Sequence, residues 1–147
     1  MSEHRATVTW QRSGEFRYET YSRSHVLRFG AIEVPGSAAP ENIPATAAGA
    51  PGVDPEQAFI AAISACHMLW FLHLACQKKF VVERYLDEAV GVLDQTWISK
   101  VTLHPAVIFS GKKPNEKEHA ALHQRAHEKC FVANSVKSKV RVEPRIA

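Results

Sequence analysis

Ala6, Val8 and Trp10 alternate with Thr7, Thr9 and Gln11 at the start of the chain, and beyond Ser13-Gly14 the residues Phe16, Tyr18 and Thr20 repeat the period of two. Alternation of that kind puts successive side chains on opposite faces of a strand, so the opening residues predict a β-hairpin. His25 to Val34 predicts a third strand. From Gly36 to Val53 the chain is rich in Pro, Ala and Gly and carries no period, which predicts a long loop. Loops of such length in compact domains often wall a binding site, and a plain crossing is an equal reading.

A helical pattern begins at Asp54. Asp54 fits an N-cap, Pro55 the first helical position, and Glu56 and Gln57 the first turn, where polar and acidic groups meet the free N–H groups. From Phe59 to Cys76 apolar side chains cover nearly every face, including Ile60, Ile63, Met68, Leu69, Trp70, Phe71, Leu72 and Leu74. A helix apolar all round needs cover on most sides, and in so short a chain that cover points to a second subunit. The run reaches the ~18 residues at which a membrane span becomes possible. His67 and His73 inside it argue against one.

Past Lys78-Lys79, the segments Phe80 to Leu93 and Trp97 to Phe109 are β-branched and aromatic, with Val101, Leu103, Val107 and Phe109 on one face; Pro105 predicts an edge or a bulge. Asn115 followed by Glu118 is a capping box opening a second helix. On that helix Leu122, Ala126 and Cys130 recur at every fourth residue, so Cys130 lies on its buried stripe. Val136, Ser138, Val140 and Val142 alternate with Lys137, Lys139 and Arg141 in a last strand with a basic outer face.

The chain has 147 residues, a size that suits one domain over 1–147 with one core. Its 18 basic and 15 acidic residues give a net charge of +3, too mild and too scattered to call for nucleic acid. No apolar leader precedes the first strand, so a cytoplasmic, reducing location is the expectation, with no membrane partner.

Three cysteines in such a chain are too few and of the wrong parity for a disulfide-stapled domain. Cys66 sits in the middle of the apolar helix, bracketed by Ser64 and His67, and Cys130 ends the later helix; thiols on two separate helices suggest a reactive pair. A thiol attacks as its thiolate, and Cys66 is too far along its helix for the N-terminal partial charge to assist, so a cation must come from elsewhere. Arg17, Arg23 and Arg28 are the candidates, and such an arginine needs a carboxylate to aim its fork, a role that Glu56 fits. Ten residues of straight helix rise about 15 Å, so Glu56 and Cys66 of one helix cannot share a site. Either the helix breaks between them or two antiparallel copies bring Glu56 of one toward Cys66 of the other. The second option also covers the apolar helix and predicts a homodimer. His67 is either a donor beside the thiol or an interior histidine. Cys76, near the end of the same helix, reads as structural. His119, His123 and His127 share one helix face and read either as a metal-ligating row or, given Glu116, Lys117, Gln124, Arg125 and Glu128 beside them, as a solvated polar face.

Pro55-Glu56-Gln57, the turn ending Ser64-Ala65-Cys66, and His127-Glu128-Lys129-Cys130-Phe131-Val132 together resemble the OsmC/Ohr family of osmotically inducible and organic hydroperoxide resistance proteins, over essentially the whole chain. Tyr21-Ser22-Arg23-Ser24-His25 and Cys66-His67-Met68-Leu69-Trp70 are similar to an OsmC-like branch of it. The resemblance implies an α+β fold in which antiparallel sheet wraps long central helices in an intertwined homodimer. It implies a thiol peroxidase without cofactor or metal, with Cys66 as peroxidatic thiol, Cys130 as resolving thiol, Glu56 as orienting carboxylate and Arg23 as its arginine, ahead of Arg28 and Arg17. Substrates would be organic hydroperoxides, favoured by an apolar lining from Trp70, Phe71 and Met68, and the reductant a dithiol of lipoyl type or a small thiol. The alternatives are a non-catalytic OsmC-like protein binding a small hydrophobic ligand and a Cys/His metal-binding module.

Overall fold

A computed structural model describes residues 1–147 as an α+β chain with two compact units, Met1–Ala58 and Phe59–Ala147. In the first unit β1 (Thr7–Thr9), β2 (His25–Phe29) and β3 (Ile32–Gly36) form an antiparallel sheet in chain order. The β2–β3 connection is the two-residue turn Gly30-Ala31, whose first residue has φ +62, a left-handed conformation that glycine adopts at little cost.

The predicted hairpin partner of β1 is corrected: Val8 pairs with Leu27 of β2, and Tyr18–Thr20 is a turn. The Thr20 and Tyr21 N–H groups both donate to the Arg17 carbonyl, at 3.1 and 2.8 Å. The alternation that imitates a strand instead gathers aromatic rings, with Trp10–Phe16, Phe16–Tyr21 and Trp10–Tyr21 centroids 5.7, 5.0 and 6.3 Å apart. The segment from Gly36 to Val53 is a loop apart from one 3-10 turn, Pro40–Asn42, and its ends are tied by Ser37 N–H to Val53 carbonyl (3.0 Å) and Val53 N–H to Pro35 carbonyl (2.9 Å).

Helix α1 (Pro55–Gln77) starts as expected. The Gln57 N–H donates to Asp54 Oδ1 at 2.7 Å, and the Asp54 N–H donates to Gln57 Oε1 at 3.2 Å, so two end donors are satisfied reciprocally. It ends in a reversed turn: Lys79 takes φ +61, its N–H donates to the Cys76 carbonyl, and the Phe80 N–H reaches back to the Ala75 carbonyl at 3.0 Å. Between these ends Ile63, His67, Phe71 and Ala75, four residues apart, form one buried stripe. The expectation of cover on most sides is corrected within this chain. Ala61, Ala62, Ala65, Leu69, His73 and Cys76 are exposed, because only one side of the helix meets the sheets and the second helix.

The rest of the second unit covers that stripe. β4 (Val81–Asp87) pairs antiparallel with β7 (Pro105–Ser110), with a bulge between Val82 and Arg84. Pro105 opens β7 on this two-stranded sheet, where both strands are edges and its missing N–H costs little. β5 (Val90–Asp94), β6 (Trp97–Leu103) and β8 (Lys139–Val142) form a second sheet, with β6 and β8 parallel. The two long apolar segments of the sequence are thus four strands, and the last strand is shorter than its alternation predicts. A Cβ on Gly91 would stand 2.4 Å from Ile60 Cδ1, so the bare backbone there lets β5 approach α1. Helix α2 (Glu116–Lys129) carries the predicted capping box, Asn115 and Glu118 bonding each other's N–H at 2.8 and 2.9 Å. One core cluster joins Phe71, Ala75, Phe80, Val107, Leu122 and Ala126, and another joins Ile63, Val101 and Leu103. Each large member contributes roughly 1.5–3 kcal/mol by leaving water.

Candidate active site

Cys66 lies midway along α1, half-buried, on the face opposite the His67–Phe71 stripe. Within two turns of it along the helix, Ala62, Ala65, Leu69, Trp70 and His73 join it in lining an open cavity of about 500 Å³, with Phe131 also on the wall. The helix is held in place beside the site. Ser64 Oγ donates to Asp87 Oδ2 at 2.5 Å, and the other Asp87 oxygen accepts the His104 N–H at 2.6 Å, so one carboxylate ties α1 to β4 and to the turn before β7. Of the lining expected from sequence, Trp70 is present. Phe71 is instead fully buried in the core and Met68 is not on the wall, because at about 100° per residue neither shares the face of Cys66.

Cys130 is the C-cap of α2 and is completely buried. Its Sγ accepts the Ala133 N–H at 3.4 Å and lies 3.9 Å from the Ile63 carbonyl on α1. Burial pushes the Cys130 thiol up, a hydrogen bond with the neighbouring Cys66 pushes it further, and the Ala133 N–H offsets part of this, leaving it at about 11. Cys66 is thus near enough to raise the Cys130 thiol, and both thiols are free. Cys76 is exposed and takes no part in the core.

The remaining site candidates belong to the first unit, Met1–Ala58. α1 runs unbroken from Pro55 to Gln77, so the broken-helix route for joining Glu56 to Cys66 does not hold. Glu56 sits in the first turn with its Oε2 buried and without a hydrogen-bond partner. Arg23 is not held by a carboxylate: its guanidinium donates to the Tyr21 and Tyr18 carbonyls at 2.6 and 2.9 Å and lies 3.4 Å from the Tyr21 ring centroid. Within the first unit it lines a cavity of about 410 Å³ with Trp10, Phe16, Tyr21 and His25. Arg28 is paired with Glu33 and Arg17 with Glu15, both exposed.

The histidine row corrects both of its readings. His119, His123 and His127 face inward, and no group of three metal-ligating side chains is assembled. His123 Nδ1 is 3.1 Å from His67 Nε2, and its ring stacks on Phe71 at 4.3 Å. Burial, reinforced by His127, lowers His67 to about 4; burial, with His119 and His67 beside it, lowers His123 to about 3. His67 therefore binds a histidine and not the thiol. Sequence reasoning also missed Lys129, whose Nζ lies 5.1 Å from the Trp70 ring centroid, and Phe131 over the cavity. The four-residue step from Cys66 to Trp70 was the available signal for the aromatic wall.

The sequence pattern of the family described as OsmC-like protein matches residues 47–145. The chain belongs to that family. An OsmC-like protein of unknown function from Vibrio cholerae is 42% identical, with 99% of this chain and 100% of that one covered and a TM-score of 0.91. The fold is shared with an OsmC-like protein from Mycoplasma pneumoniae, at 14% identity, TM-score 0.77 and coverage of 99% and 98%. It is shared too with the organic hydroperoxide resistance protein OhrB of Bacillus subtilis, at 22% identity, TM-score 0.61 and coverage of 97% and 98%. No curated protein matches the chain.

Proposed function

We propose that this protein is a thiol-dependent peroxidase that reduces organic hydroperoxides to alcohols. The observation that carries the reading is the pairing of a half-buried thiol in an apolar cavity with a fully buried thiol from another helix. The Cys66 thiolate attacks the distal oxygen of ROOH, the O–O bond breaks, and the alkoxide takes a proton and leaves as alcohol. The Cys130 sulfur then attacks the sulfenic sulfur of Cys66. Held protonated at neutral pH, Cys130 gives up its proton to the departing hydroxyl, which leaves as water as the disulfide forms. An external dithiol, of lipoyl type or a small thiol, restores both thiols by exchange. Ala62, Leu69, Trp70 and Phe131 favour an alkyl or aryl hydroperoxide over hydrogen peroxide, since an apolar group leaving water adds affinity that a small polar molecule cannot.

Two further features support a homodimer with a shared site. A buried carboxylate oxygen without a partner, as on Glu56, costs about 1–3 kcal/mol or more. An arginine provided by dimer assembly removes that cost and is in turn aimed at the thiol. The open apolar face of α1 gives a second copy a surface to cover. The reading fits a cytoplasmic stress-response role without metal, membrane or nucleic acid.

The same apolar cavity also suits a non-catalytic binder of a small hydrophobic ligand. Steady-state consumption of cumene hydroperoxide with a dithiol reductant separates the two. Cys66→Ser should lower the rate at least about a thousandfold, as loss of a nucleophile does, and Cys130→Ser should leave a single turnover ending in sulfenate. Unchanged consumption in the Cys66 variant refutes the peroxidase and leaves the binder.

A further inference from the structure

The second unit holds a cavity besides the thiol site. At about 610 Å³ it lies at the far end of α1, between that end and the outer side of α2, and shares no lining residue with the Cys66 cavity. Its floor is apolar, from Leu74, Phe80, Ala121 and Leu122. Charged groups ring it unevenly. Arg125 and Glu128 are paired with each other at 3.0 Å, and Glu118 is occupied in the capping box of α2. Lys78 and Lys112 are left with no carboxylate within ion-pair distance, and the Lys112 ammonium stands 5.6 Å from the Phe80 ring centroid, directly over the floor.

We infer that this cavity binds an amphipathic organic anion, an alkyl carboxylate or alkyl sulfate, with its chain on Leu74, Phe80 and Leu122 and its head group between Lys78 and Lys112. The volume falls within the usual range of small-molecule sites, about 300–1,000 Å³. The apolar floor supplies affinity without direction, and the two uncompensated ammonium groups supply the preference for negative charge. A cationic head group finds no free carboxylate on the rim, since Glu118 and Glu128 are already bonded. The inference goes beyond the peroxidase reading and stands or falls without it.

Decanoate is the probe, titrated into the full-length protein at neutral pH with backbone amide shifts recorded by NMR. Saturable shifts are expected at residues 74–80 and 121–125, with affinity falling as salt rises. Replacing both Lys78→Met and Lys112→Met keeps the apolar stems and should weaken decanoate about tenfold or more, by roughly 1.4 kcal/mol or above, while decanol binds the two proteins alike. Shifts centred on Ala62 to Leu69 and Phe131 would instead assign decanoate to the thiol cavity and overturn the inference. So would an affinity indifferent to the two lysines. Absence of saturable binding also overturns it, and a second copy of this chain is then the occupant to seek by measuring self-association of the double variant.

Discussion

Along one face of α1 the side chains of Ile63, His67, Phe71 and Ala75 are buried against β-sheet and α2, whereas the opposite face carries Ala62, Cys66, Leu69 and His73 toward an open cavity. Leu69 is 62% exposed and Phe131 beyond it 70% exposed, while Phe71 is 0% exposed. Both faces are apolar in composition, so hydrophobicity alone does not say which one the chain itself covers. The difference lies in what faces them. The buried side packs against other elements of the chain, and the other side does not. Cys66 belongs to the less covered face and Cys130 to the buried interior, so the disulfide proposed above would join a half-buried position to an inaccessible one.

The largest expected effect is on the buried face. Phe71→Ala removes the largest fully buried side chain and should cost about 3–5 kcal/mol in urea unfolding. A loss under 1 kcal/mol would mean that the inner face is not the packed one.

Acid sharpens the same contrast. His67 and His123 are buried neutral and have folded values below the unfolded one, so their contribution is complete above about pH 6.5 and is lost as pH falls toward 4. His119 and His127 face the same cluster, and each added proton opposes the next. His67 alone, lowered to about 4, corresponds to roughly 3 kcal/mol lost by pH 4. Unfolding free energies measured from pH 7.5 to 4.5 should show that decline, and His123→Phe should flatten it. A flat wild-type profile would contradict the buried, neutral pair.

The smallest effect on stability is expected on the open face. Leu69→Glu should change the monomer's unfolding free energy by no more than about 0.5 kcal/mol, yet shift sedimentation from dimer toward monomer. Unaltered self-association would place the proposed interface elsewhere.

How much of this was legible beforehand follows from where the information resides. Asp54, Gln57, Asn115 and Glu118 act within four residues of one another, so both helix starts could be read directly. Pairing partners could not. Val8 joins Leu27 rather than a nearer residue because the rings of Trp10, Phe16 and Tyr21 gather into a cluster, and no local period encodes that. The two thiols could be singled out by motif, while their adjacency depended on how α2 lies along α1. The inward turn of the histidines escaped notice for the reverse reason: their polar neighbours Gln124, Arg125 and Glu128 suggested a wet face, and the aromatic ring of Phe71 that dries it comes from another helix. The cation for the thiol stays the least legible element, with Arg23 committed to the carbonyls of its own loop and Glu56 still lacking a partner.

Mass spectrometry of the cysteines after one equivalent of an alkyl hydroperoxide tests the paired-thiol account most directly. A Cys66–Cys130 disulfide formed in step with one equivalent of alcohol, with Cys76 still reduced, is the predicted result. Both thiols unmodified, with the hydroperoxide intact, would contradict it.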